Sequence, residues 1–143
     1  MRREYKAYKK VGKIQEYILH LLDIDFCGDV FTSPGAINHI RKKHGRQFPK
    51  KIREDILGTI TKIIESPDYV GMSKKYRRNG SIELVKKMDI ILFLGLEIDT
   101  EDKYIFVATL YPMTESKMIG RINSDRLDLI SRHTDREKYL DFI

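Results

Sequence analysis

The chain has one cysteine and no tryptophan in 143 residues. A lone thiol, Cys27, excludes a disulfide framework and a thiolate metal cluster, and suits a reducing, cytoplasmic compartment. No stretch approaches the ~20 apolar residues that a membrane-spanning helix needs. "MRREYKAYKK" at the N-terminus has charge but no apolar segment behind it, so no signal peptide is expected. Metal and nucleotide signatures are missing too: there is no HExxH, CxxC, acidic triad, GxxxxGKS/T or GxGxxG. His39 and His44 are five apart and do not share a helix face. No metal or cofactor is expected. Repeats and low-complexity tracts are absent, and the length is that of one domain, enough to bury roughly 68–70% of the unfolded surface.

What is present is positive charge. The formal net charge is +6 and the pI is about 9.3. Its distribution says more than its sum. "RKKHGRQFPKKIR" (41–53) holds seven Lys/Arg and no acid, and "SKKYRRNG" (73–80) holds four more around Tyr76. Clustered bases suit a phosphate backbone, so Arg41, Lys42, Lys43, Arg46, Lys74, Lys75, Arg77 and Arg78 are candidate substrate-binding residues. Solvated polar loops would have the same composition.

Periodicity predicts a helix over 1–22, from Tyr5, Tyr8, Val11, Ile14, Tyr17, Ile18, Leu21 and Leu22 at spacings of three and four. "DVFTS" (29–33) reads as a short extended segment. Ser33 and Pro34 are expected to cap and open a helix that Gly45 ends. A second helix runs from Pro49 to Ser66-Pro67 on the Ile52, Ile56, Ile60 stripe. Beyond it, "DYVGM" (68–72), "SIELVKKM" (81–88), "IILFLGLEI" (90–98) and "KYIFVATLYPM" (103–113) read as four strands, antiparallel because their links are short. The tail, 122–143, is expected to be helical. The fold class is therefore α+β: N-terminal helices packed on a four-stranded antiparallel sheet, with a mixed C-terminal helix.

A set of His, Lys, Arg and hydroxyl residues suits metal-free RNA cleavage. The ribose 2′-OH supplies the nucleophile, and the protein moves protons and steadies the phosphate. Histidine is the natural proton carrier near neutrality. On the first long-signalled helix His44 shares a line with Ile37 and Ile40 and should face the sheet, while His39 lies on the flank beside Lys43. Lys86 shares a face with Ile82, Leu84 and Met88. Thr109 and Tyr111 are expected on the face of Ile105 and Val107. Glu97 is a weaker candidate base. Each signal alone has an ordinary structural explanation.

"FTSPGAINHIRKKHG", "IIESPDYVG", "SIELVKK" and "IFVATLYPM", in that order, resemble the phage-associated nucleases of the barnase–EndoU–colicin–RelE (BECR) superfamily, from about residue 29 to 128. The resemblance implies a metal-independent endoribonuclease, of toxin or effector type, with a nuclease domain at 29–143; residues 1–28 lie outside the match and are expected to be a helical extension of open role. It implies a catalytic set of His39, His44, Lys86, Thr109 and Tyr111, with either histidine as the base and the other, or Lys86, as the acid. Arg126 matches the arginine of a "GR-L" segment, with Asp125 in place of the glycine, and Arg121 is the alternative phosphate contact. The implied partners are RNA and an acidic neutralising protein. The tyrosine stripe of 1–28 is a candidate surface for a second copy. Many such domains are tails of larger proteins, whereas this chain begins at Met and reads as freestanding or excised. A non-catalytic nucleic-acid-binding module and a protein-interaction domain are the competing functions.

Overall fold

The alternating segments between 68 and 113 become strands where expected, but they are only the middle of a larger sheet. The computed structural model describes residues 5–73 and 80–130. In chain order these form β1 (Lys9–Lys13), α1 (Glu16–Leu21), β2 (Asp29–Thr32), α2 (Ala36–His44), a 3-10 turn (Gly45–Gln47), α3 (Lys50–Glu54), α4 (Ile56–Glu65), β3 (Tyr69–Ser73), β4 (Ser81–Lys87), β5 (Ile91–Asp99), β6 (Tyr104–Pro112), α5 (Glu115–Asn123) and β7 (Asp128–Leu129). Among the described residues there are five α-helices and one seven-stranded sheet, ordered β1-β2-β6-β5-β4-β3-β7. The class is α+β, but the expected four-stranded antiparallel sheet is wrong. β3 to β6 do form an antiparallel block; β1, β2 and β7 extend it, and β2 pairs with β6 in parallel.

The helix expected over 1–22 is also corrected. Residues 9–13 are an edge strand, and only 16–21 are helical. Gly12 weakens a helix there by about 1 kcal/mol, and in the strand it fits tightly, because a Cβ on it would lie 3.1 Å from Ile64 Cγ2. Tyr5 and Tyr8 pack on Tyr104 and Phe106 instead of continuing a helical stripe. At the other end the helix lies at 115–123, earlier than expected, and 128–129 pair with β3. The rest of the tail, 131–143, lies outside the described residues.

One face of the sheet carries the main core. Leu92, Leu94, Leu96 and Ile98 of β5 meet Ile40 of α2, Ile52 of α3, Ile18 of α1, and Ile56, Ile60, Ile63 and Ile64 of α4. At α4's start Asp55 Oδ1 accepts the Gly58 N–H at 3.0 Å, an N-cap. A smaller cluster on the opposite face joins Val85, Phe93, Met113, Met118 and Leu127 under α5. α5 is capped by Thr114, whose hydroxyl accepts the Lys117 N–H at 3.2 Å.

β1 is held to β2 partly by Lys10, whose Nζ lies 3.1 Å from Asp29 Oδ1. That hydrogen bond is the main cause of an Asp29 pKa below its ordinary value of 3.8. The stabilisation is present above that value and is lost as pH falls through the lower folded-state value. Asp29→Asn is expected to destabilise the fold at pH 7 by at most about 1 kcal/mol, since both partners are partly exposed. Thermal melts of the two proteins should converge in acid below the usual carboxylate range.

Candidate active site on the sheet face

Strand pairing sets three rows of side chains across the face under α5. Glu83 pairs with Gly95 and Gly95 with Thr109; Val85 with Phe93 and Phe93 with Tyr111; Ser81 with Glu97 and Glu97 with Phe106. Thr109 and Tyr111 are on this face because the β5–β6 register shifts between Gly95 and Leu96. Leu96 pairs with Val107 and Gly95 with Thr109, so Ala108 is the extra residue of a bulge. A bulge re-aims every side chain beyond it. Thr109 and Tyr111 are therefore on the face opposite Ile105 and Val107, which corrects the simple alternation of the sequence.

The histidines reach the same face through α2. β2 pairs with β6 only at Val30–Ile105 and Phe31–Phe106. The chain then leaves the sheet, and α2 packs against β6. Ser33 does not cap the helix: α2 starts at Ala36, with Gly35 at the N-cap position and no side-chain cap. Ser33 instead lines a cleft of about 400 Å³ together with Tyr8, His39, Glu97, Phe106 and Thr109. His39 is exposed. His44 lies farther along β6, its ring centroid 5.6 Å from that of Tyr111. Its Nδ1 is 3.1 Å from Gln47 Oε1; an amide oxygen only accepts, so in this contact Nδ1 is the donor.

Beyond Tyr111 the row ends in cations. Phe93 stacks on Tyr111 with centroids 4.7 Å apart, and the Arg121 guanidinium lies 4.9 Å from the Phe93 centroid. Arg121 Nη1 donates to Glu83 Oε2 at 2.9 Å, and Arg126 Nη2 donates to Glu83 Oε1 at 2.6 Å. Glu83 is 3% exposed, and ionised hydrogen bonds to both of its oxygens offset the cost of burying it. Two guanidinium groups on one carboxylate leave an excess of one positive charge. The side chains of Arg121 and Arg126 remain 22% and 44% exposed. The sequence reading missed Glu83. Its signal was its place beside Val85 on the second face of a strand whose first face is Ile82 and Leu84.

The structure thus brings His39, His44, Thr109 and Tyr111 to one surface, with Arg121 and Arg126 at its far side. It does not bring Lys86 there. Lys86 is on the helical face, as its alternation with Ile82 and Leu84 requires, and its Nζ donates to the Ser66 carbonyl at 2.7 Å, just past α4. Arg41, Lys42, Lys43 and Arg46 are exposed on the last turn of α2 and the turn after it. Arg41 Nη1 also donates to Asn38 Oδ1 at 3.1 Å. Lys74, Lys75, Arg77 and Arg78 lie outside the described residues. Among the described residues no three His, Cys, Asp or Glu side chains are grouped to hold a metal ion, and no helix is long and apolar enough to cross a membrane.

Imidazoles, hydroxyls and guanidinium groups on one side of the sheet of an α+β domain are groups suited to chemistry on phosphate esters. Residues 9–119 match the family described as phage-Barnase-EndoU-ColicinE5/D-RelE like nuclease3, PBECR3. The chain belongs to that nuclease family. The match includes β1 and every residue of the cleft except Tyr8, and it ends before Arg121 and Arg126. No curated protein and no solved structure matches the chain.

Proposed function

We propose that the protein is a metal-independent endoribonuclease that cleaves RNA by 2′-OH attack. The observation that carries this reading is the cleft that His39 and Thr109 both line, with the His44 ring near Tyr111 farther along the same strand. His39 and His44 are five residues apart, so their Cα atoms are about 7.5 Å apart along the helix axis, and in this mechanism the phosphodiester lies between the two side chains over Thr109. His39 takes the proton of the 2′-OH as the O2′–P bond forms. His44, protonated, gives its proton to the O5′ that leaves as the P–O5′ bond breaks. The products are a 2′,3′-cyclic phosphate and a free 5′-hydroxyl. The excess charge of Arg121 and Arg126 on Glu83 steadies the crowded phosphate. The exposed bases after His39 hold the flanking backbone, which makes binding salt-dependent. The same charge suits an acidic neutralising partner.

The test is cleavage of end-labelled RNA in excess chelator, with chemical mapping of the new ends. Cyclic phosphate termini are the expected result. No cleavage, cleavage only with added metal, or 5′-phosphate ends would each overturn the mechanism.

A further inference from the structure

His44 ends α2 and leads directly into the 3-10 turn Gly45–Gln47. In such a turn side chains three apart eclipse. His44 and Gln47 therefore lie side by side, and Nδ1 meets Oε1 at 3.1 Å. The turn is held at both ends. The Gly45 N–H donates to the Arg41 carbonyl, and the Phe48 N–H donates to the Gly45 carbonyl at 3.3 Å. Phe48 is 3% exposed and belongs to the main core with Ile40. Packed backbone thus presents Gln47 to the ring, although Gln47 itself is exposed. Across β6 the ring faces the Tyr111 phenol, and its chain neighbours Lys43 and Arg46 are exposed cations. The side-chain partner of the imidazole is an amide and not a carboxylate.

We infer that Gln47 is a positioning residue that keeps the proton of neutral His44 on Nδ1, so that Nε2 is the atom that exchanges protons; what that proton does rests on the ribonuclease reading above. The tautomer of a histidine is set by the hydrogen bond its other nitrogen makes. An amide oxygen accepts and does not donate, so Nδ1–H is retained whether the ring is charged or neutral. As the P–O5′ bond breaks, the Nε2 proton passes to O5′. The ring is left neutral, with Nδ1–H still on Gln47, and no hydrogen bond changes at that nitrogen during the step. A carboxylate in the same place would attract the imidazolium and hold its proton more firmly. The uncharged amide orients the ring without that pull, which suits an acid that must release its proton. Without Gln47 the neutral ring reverts to the Nε2–H form favoured in water.

The experiment is nitrogen-15 NMR of the imidazoles through a pH titration of the full chain, with His44→Ala to assign the signals, beside RNA cleavage by the same proteins. The titration contains no RNA, so the tautomer is read whether or not the protein is a nuclease. Neutral His44 is expected in the Nδ1–H form. Gln47→Ala should turn it to mainly Nε2–H and reduce kcat about 2- to 10-fold, the worth of one neutral hydrogen bond. Gln47→Glu should keep Nδ1–H and raise the His44 midpoint by about one pH unit. The alkaline limb of the pH–rate profile should move up with it, because His44 acts protonated. A merely structural Gln47 would move neither tautomer nor limb. Nε2–H in the wild type, an unchanged tautomer or kcat in Gln47→Ala, or a midpoint that does not rise in Gln47→Glu would each overturn the assignment. The expected tautomers in a chain that leaves RNA intact would instead sink the ribonuclease reading alone.

Discussion

Replacing His39 with Ala is expected to slow RNA cleavage by about 10²- to 10⁴-fold, the usual worth of a positioned general base. The loss should lie in kcat, because the proposed mechanism leaves the holding of the phosphate to other groups. His44→Ala should have an effect of the same order. The double variant should be little worse than either single one, as for groups that act in one proton-transfer step. His20 is the control. It is an exposed histidine in the last turn of α1, lining a different cleft with Lys13, Glu16 and Cys27. Its replacement should leave the rate unchanged. A pH–rate profile adds a sharper reading, since one imidazole must be neutral and the other protonated. The wild type should show a bell, and each single variant should lose one limb. Equal rates for wild type and the His39→Ala/His44→Ala double variant would remove both histidines from the chemistry.

Gly71→Ala is expected to be the most damaging single methyl in the fold. Gly71 pairs with Glu83 across β3 and β4, and a Cβ on it would overlap the carbonyl oxygen of Arg126. That oxygen is backbone and has no rotamer to escape into. The chain after α5 must lift away, drawing Arg126 off Glu83. Overpacking of this kind costs about 3 kcal/mol, or about 6–12 °C in melting temperature for a domain of this size. Surviving folded protein should also cleave more slowly, because the guanidinium group is displaced. Gly120 gives the contrast. It sits in α5 with nothing within 4 Å of an added Cβ. Gly120→Ala should raise the melting temperature slightly, as helix propensity requires.

Some of this architecture can be read directly from side-chain order. β4 alternates in sequence, β5 is an apolar run with both faces covered, and the short links around 89 and 99–102 leave antiparallel pairing as the simple solution. Gly45 and Ser66-Pro67 mark helix ends by local backbone chemistry alone. What stayed hidden depends on residues far apart in the chain. β1 looks helical because Tyr5, Tyr8, Val11 and Ile14 are three apart; pairing with β2 and the close fit of Gly12 on Ile64 of α4 make a strand better. β2 is four residues long, and its parallel partner is some 75 positions away. The face of Thr109 turns on one inserted residue, Ala108, which has no composition to announce it. Glu83 looks like a solvated strand position until two arginines arrive 38 and 43 residues later. For the site, the histidines and hydroxyls were legible as residue types, and their meeting was not. Lys86 was legible as inward-facing, but inward proved to mean the helical side.

The parallel pairing of β2 with β6 has a consequence for biosynthesis. The histidine helix leaves the ribosome some seventy residues ahead of the strand it must rest on. Until that strand is made, the helix lacks the main surface that it packs on, and neither Thr109 nor Tyr111 stands opposite its imidazoles. On the proposed mechanism, a chain broken off before residue 104 carries both histidines and no working centre. A cell that makes such an enzyme meets its cutting power only once that later strand has been translated.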